Sequence, residues 1–165
     1  MSSKTKTISD ACNAWLKTCE RNGLERSTLK AYRSHVHIHI EPKIGSLLVA
    51  DLSRSDVRDF LDEMFDEGRS RALIRKVMVS LRAVLSEAVE REWSASNVAT
   101  DVKVKRSSRR DMARVQIPTK EEIRKIIDTA PPSHRAMFIT AIFTGMRISE
   151  LRGLTWNNVD FDRRI

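Results

Sequence analysis

The stretch Thr144-Gly145-Met146-Arg147-Ile148-Ser149-Glu150-Leu151-Arg152-Gly153-Leu154-Thr155-Trp156-Asn157-Asn158-Val159-Asp160 carries the most specific pattern in the chain. Gly145 follows an apolar run, interrupts its helix, and lets the backbone approach closely where the next helix starts. Arg147 and Glu150 are three apart, so on a helix they are neighbours on one face. A carboxylate there can hold the guanidinium in a fixed orientation, which a phosphate-binding arginine needs. Leu151 and Leu154 supply the buried side, with Trp156 wedged behind them. Taken alone, such a pair is ordinarily a surface ion pair of small energy.

Working back from this stretch, Pro118-Thr119-Lys120-Glu121-Glu122 is a helix-start signature, with Thr119 as cap and carboxylates in the first turn. That helix ends at Pro131-Pro132, and Ser133 begins an apolar one through Phe143. Downstream, Trp156 to Ile165 reads as a turn leading into a strand.

The segment Ser94 to Gln116 has no periodicity and is polar and basic. Lys103, Lys105, Arg106, Arg109, Arg110 and Arg114 face only Asp101 and Asp111. It reads as a linker between two domains. It is either a tether kept soluble by charge or a strap lying along phosphates.

Before the linker, four helical patterns recur at a 3.6-residue period. The first covers 7–22, capped by Thr7 or Ser9, with Ile8, Cys12, Trp15 and Cys19 on one stripe. The second opens at Ser27-Thr28, places Leu29, Tyr32, Val36 and Ile40 on one face, and is expected to stop at Pro42 and Gly45. The third starts at Ser53 or Ser55 and closes at Gly68. The fourth, Arg71 to Glu92, has a core stripe of Leu73, Val77, Leu81, Val84 and Ala88. Arg71, Arg75 and Arg82 are expected opposite that stripe, with no carboxylate on their face until Glu90. Either this is a solvated charged face or it faces DNA, since arginine is the better reader of phosphate and guanine.

The bulk numbers agree with a polyanion partner. Thirty Lys and Arg against 22 Asp and Glu give a net charge of +8 and a pI near 9.9, a positive field suited to nucleic acid first and an anionic membrane surface second. Hydrophobic residues make up 41% of the chain, above the regime of disorder. Cys12 and Cys19 are two helical turns apart, roughly 10 Å by the rise per residue, too far for a disulfide. No cysteine-histidine cluster suggests zinc. The start lacks an apolar signal core, and the longest apolar-rich run, Ala136 to Met146, is too short to span a bilayer. A cytoplasmic protein is expected.

The pattern Thr-Gly-x-Arg-x-x-Glu-Leu-x-x-Leu-x-Trp-x-x-Val-Asp at 144–160 resembles the first catalytic box of the tyrosine recombinases and phage integrases. Ser27-Thr28-x-x-x-Tyr32, Ile40-x-Pro42-x-Ile44-Gly45 and Leu52-Ser53 are similar to the family's core-binding domain. Asn97-Val98 departs from the Asn-Pro of many members, a difference confined to the linker's exit. The resemblance implies a mainly α chain. A four-to-five-helix, SAM-like core-binding domain over 1–105 would lead through a basic linker, 106–116, to 117–165. That last part would be the first helices and strand of an α+β catalytic domain, truncated.

Position by position, the resemblance implies that Arg147 is the first of two arginines clamping the scissile phosphate, with Glu150 as the supporting acid. The family cuts and rejoins DNA through a 3′-phosphotyrosyl link, so an activated nucleophile and positive charge at the phosphate suffice. No metal or other cofactor and no small-molecule substrate are expected. The family's lysine, His-x-x-Arg box, further His or Trp, and nucleophilic Tyr would lie beyond Ile165. The chain by itself is therefore expected to bind its core DNA site without cutting it, and to self-associate on DNA through the full-length protein. Arg71, Arg75 and Arg82 would approach the major groove or its phosphates, with Lys30, Arg33, Lys103, Lys105 and Arg106 as further DNA contacts. Tyr32 reads as a core aromatic. His35, His37 and His39 alternate, are not expected to converge, and read as surface or DNA-proximal residues. A bacterial or phage-encoded protein fits. The alternatives are a naturally short, catalytically dead DNA-binding regulator and a helical protein-interaction module. Apolar surface past the linker is expected to favour self-association.

Overall fold

The computed structural model describes residues 5–104 and 116–159, in two compact units, Met1–Met112 and Ala113–Ile165. In the first, α1 (Ile8–Arg21) begins at a capping box. The Thr7 hydroxyl accepts from the Asp10 amide at 3.2 Å, and the Asp10 carboxylate accepts from the Thr7 amide at 3.1 Å. Its apolar stripe, including Cys12, Trp15 and Cys19, is buried, and both thiols are free. Burial, with Glu41 adding to it, pushes the Cys12 thiol up to about 12, so it acts as a small hydrophobe.

The second helical region does not stop at Pro42. Helix α2 (Arg26–Ser34) passes into a π-helical turn, His35–Ile40, and then into α3 (Glu41–Ile44). The Glu41 amide reaches back to the Val36 carbonyl, five residues away. This shift of register leaves Pro42 in the first turn of α3, where no amide is required. Gly45 then lets α1 sit directly on the end of α3. A Cβ there would lie 2.4 Å from the Glu41 carbonyl oxygen and 2.6 Å from Ser9 Oγ. The Ser9 amide donates to the Gly45 carbonyl at 3.0 Å, and the Ile8 amide to that of Leu47 at 2.9 Å.

The burial of this segment overturns the expectation for the histidines. His35 and His39, four apart, are both turned inward and buried, while His37 is exposed and pairs with Glu41 at 2.6 Å. His35 Nδ1 bonds Ser80 Oγ at 2.8 Å, and His39 Nδ1 is buried with no partner among the described residues. Burial holds both imidazoles below the ordinary histidine value. His39 and Lys76 add to this at His35, and Arg69 and Lys43 at His39, against an opposing effect of Glu67. Both rings are therefore harder to protonate in the folded state than in the unfolded chain. The unfolded chain binds the extra protons as pH falls through about 6.5, so stability drops on acidification. Denaturant unfolding at pH 7.5 and 5.5 should show lower stability at pH 5.5, with a smaller drop for His39→Gln. Equal stability at both pH values would contradict this.

Helix α4 (Arg54–Asp66) is capped by Ser53 with Asp56, and α5 (Arg71–Glu90) by the Ser70 hydroxyl, which accepts from the Leu73 amide. The buried side of α5 is wider than the sequence suggests: Ile74, Met78 and Leu85 join Val77, Leu81, Val84 and Ala88, while Leu73 is only half-buried. Ser80 and Glu87 are buried on its other side, so the buried face widens both ways. Arg71, Arg75 and Arg82 stay outside it, with Arg75 and Arg82 half-buried at its edge. Phe60 and Met64 of α4 and Val36 and Ile40 of the π turn complete the centre of this core.

The chain after α5 is not all linker, because Ala99 and Val102 are buried in the same core. The Asn97 amide group fixes this segment, donating to the Arg82 carbonyl at 2.8 Å and to Ser86 Oγ at 2.9 Å. The basic positions Lys105, Arg106, Arg109, Arg110 and Arg114 lie outside the described residues.

The second unit contains α6 (Lys120–Thr129), α7 (Pro132–Thr144) and α8 (Ile148–Gly153), followed by a 3-10 turn, Trp156–Asn158. Thr119 and Glu122 form the expected capping box. Gly145 ends α7 in the left-handed conformation at φ 68°, which strains any other residue. Among the described residues of this unit only Ala130 is buried, while Phe143 and Trp156 are 78% and 80% exposed. Residues 160–165, where a strand is expected, lie outside the described residues, and the described ones hold no strand. No helix among them is long and apolar enough to cross a membrane.

Candidate nucleic-acid interface

The first unit gathers unbalanced cations along α5. Arg71 is exposed, with its guanidinium carbon 5.1 Å from the centroid of the Phe65 ring. Arg75 lies one turn further on. No salt bridge engages Arg71, Arg75 or Lys103 among the described residues. Lys103 borders two shallow grooves, one shared with Arg58 and Arg71, the other with Arg75 and Arg82. Sequence periodicity does not single out Arg58 or Lys76. A basic residue isolated on a helix gives no signal until the neighbouring segment is placed beside it.

Arg82 differs from its two companions. Its Nε donates to the Ala99 carbonyl at 3.0 Å and its Nη2 to the Val102 carbonyl at 2.6 Å. It straps the 97–104 segment to α5, so the three arginines expected to form one DNA-facing set are divided by the structure into two free cations and one internal tie. Arg54 adds an exposed tie to Asp101 at 2.8 Å. On α2, Lys30 is exposed without a salt bridge, whereas Arg33 is paired with Glu20 at 2.6 Å. These rim pairs contribute little stability.

The second unit holds the Arg147–Glu150 pair. Arg147 is the N-cap of α8, with extended backbone, so the two residues meet across the helix start. Glu150 grips its partner twice: Oε2 accepts from the Arg147 amide at 2.8 Å, and Oε1 from Nη1 at 3.1 Å. The Arg147 side chain is 84% exposed. A cation held at both backbone and side chain, and otherwise open to solvent, is suited to receiving an anionic oxygen.

The remaining chemistry-bearing side chains are employed otherwise. Tyr32 is half-buried, its ring 4.7 Å from that of Trp15 and 6.4 Å from that of His35. His134 is exposed and bonded to the neighbouring Ser133 hydroxyl at 2.9 Å.

Comparisons with known proteins bear on both units. Residues 8–105 match the model of the phage integrase central domain, and residues 117–165 match that of the phage integrase family. The XerC-like tyrosine recombinase of Caldanaerobacter subterraneus subsp. tengcongensis is 26% identical over 164 residues, covering 96% of this chain and 42% of that protein. Tyrosine recombinase XerA of Thermococcus onnurineus is 27% identical, with 97% and 53% covered. The chain thus spans about half the length of the curated relatives it matches. Among solved structures, a lambda integrase dimer bound to a COC′ core site superimposes with a TM-score of 0.80 at 20% identity, covering 94% of this chain and 56% of that one. The integrase-like domain from Bacillus cereus gives 0.60 at 23% identity, over 65% and 90%. At such identities the likeness is one of fold.

Proposed function

The chain belongs to the phage integrase family, and from that membership we propose that it is the DNA-gripping part of a site-specific tyrosine recombinase, together with the first arm of its phosphate clamp. The observation that carries the reading is the run of unbalanced cations on the first unit, Arg71, Arg75 and Lys103, beside grooves lined by no more than one carboxylate. Solved integrases of the same fold, those of lambda and of transposon Tn1549, are seen on DNA.

Residues 1–105 serve as the core-binding domain, 106–116 as the basic linker and 117–165 as the opening of the catalytic domain. Double-stranded DNA bearing the recombination site is the partner. Lys30 and the linker's Lys105 and Arg106 add phosphate contacts. Arg33 contributes only on leaving Glu20, and Arg82 acts indirectly by holding Lys103 in place. Arg147 stabilises charge on the scissile phosphate in the parent reaction, oriented by Glu150. That reaction breaks and rejoins strands through a 3′-phosphotyrosyl intermediate, with copies of the full-length protein assembled on the site.

Tyr32 is assigned to the core packing, its ring lying against that of Trp15, and not as the nucleophile. Mixed with a nicked duplex that traps covalent intermediates, the chain should give a retarded complex on a native gel and no adduct on a denaturing gel. A covalent adduct would overturn the assignment of Tyr32, and absence of any retarded complex at low salt would overturn DNA binding.

A further inference from the structure

From Arg71 to Ser86, helix α5 turns to solvent a face whose middle carries no charge, and exposed Glu90 closes that line at the helix end. Ala72, Val79 and Ser86 are each seven residues apart and all exposed, so they form a line along the helix within about 40°. Val79 lies midway, an apolar side chain 58% open to water. Cations flank this line on both shoulders, Arg71 and Arg75 on one and Lys76 on the other, and α5 contains no carboxylate before Glu87. Val79 is also the ridge between two open grooves. Toward α2 it faces Ser27, Thr28 and Ala31, two hydroxyls and a methyl, and on its other side Arg75 and Lys103.

A helix about 10–12 Å wide with cations on both edges fits between the two phosphate strands of a major groove about 12 Å wide. Small side chains along its middle let it approach the base edges, where sequence is read, while the flanking cations contact phosphates that carry no sequence information. The apolar group that a base pair offers in that groove is the 5-methyl of thymine. We propose that Val79 is a specificity-determining residue of this chain, reading a thymine 5-methyl group in the major groove, with Ser27 and Thr28 at the adjacent edge. This rests on the DNA-binding reading and adds a sequence preference to it.

The test uses duplexes enriched by the full chain from a randomised library. Each thymine in them is replaced in turn by uracil, which deletes the 5-methyl group and nothing else. At one or more positions this deletion should weaken binding about fourfold, the value of roughly one buried methyl. In Val79→Ala that penalty should shrink to within about twofold, while affinity for an unrelated duplex stays unchanged, since the cations are intact. Val79→Ser should behave alike, and substitution of an exposed side chain leaves the fold intact. A penalty that persists in both variants, or no thymine position carrying one, overturns the proposal while leaving DNA binding standing. A Val79→Ala variant equally weakened on every duplex also overturns it. Failure to enrich or bind any duplex would sink the DNA-binding reading itself, and the proposal with it.

Discussion

Replacing Arg71 and Arg75 together by alanine is expected to weaken binding to duplex DNA about 30-fold near physiological salt. Each phosphate that the protein no longer neutralises keeps about one condensed counterion, worth about five- to sixfold at 0.15 M salt. The log–log dependence of affinity on salt should flatten by about 1.8 at the same time, twice the value per phosphate. Neither arginine is tied by an ion pair to the rest of the unit, so the thermal midpoint of the variant should fall by only a few degrees, from loss of the Arg71 contact with the Phe65 ring and of the half-buried Arg75 stem. Fluorescence anisotropy with a labelled duplex reads both quantities. Unchanged affinity would remove α5 from the interface.

Arg82→Met should do the reverse, costing about 3 kcal/mol of stability to the first unit, because two charge-assisted hydrogen bonds to backbone carbonyls disappear while the aliphatic stem is kept. For a domain of about a hundred residues that lowers the thermal midpoint by about 15 °C. The Ala99 and Val102 carbonyls are left without their donor, and the segment that carries Lys103 comes loose with them. Arg75→Met, one groove wall away, should leave the midpoint within a few degrees. Calorimetry of the two variants separates a strap from a DNA contact. An Arg82→Met protein as stable as the parent would show that the two bonds do not hold the segment.

Elements fixed by local chemistry are legible in the sequence. Thr7, Ser53 and Thr119 each cap a helix with an acidic residue three positions on, and these boxes form whatever packs around them. The Arg147–Glu150 pair is local in the same way, and its spacing alone predicts contact. The second, backbone grip by Glu150 does not follow from that spacing, which suits a pair inside a helix, whereas this pair straddles the helix start.

What stays hidden depends on distant neighbours. His35 and His39, four apart, share the inward side of the π turn beside Val36 and Ile40, which a reading of the three histidines as alternating does not reveal. His35 bonds Ser80, 45 residues away, and no periodicity announces such a contact. Arg82 has the signature of a free cation, because its acceptors are backbone carbonyls 17 and 20 residues further on, which leave no trace in side-chain patterns. Val79 escapes notice because a lone apolar residue on a charged face reads as noise until its exposure and the two grooves beside it are seen.

The grip on DNA is tested most directly by titrating the unmodified chain against a duplex over a range of salt concentrations. With Arg71, Arg75, Lys76, Lys103 and Lys30 on phosphates, log affinity should fall with log salt at a slope of about −4.5, 0.9 for each contact, and more steeply as Lys105 and Arg106 join them. Binding that is absent even at about 0.05 M salt, or whose strength does not change with salt, would contradict a phosphate grip by these cations.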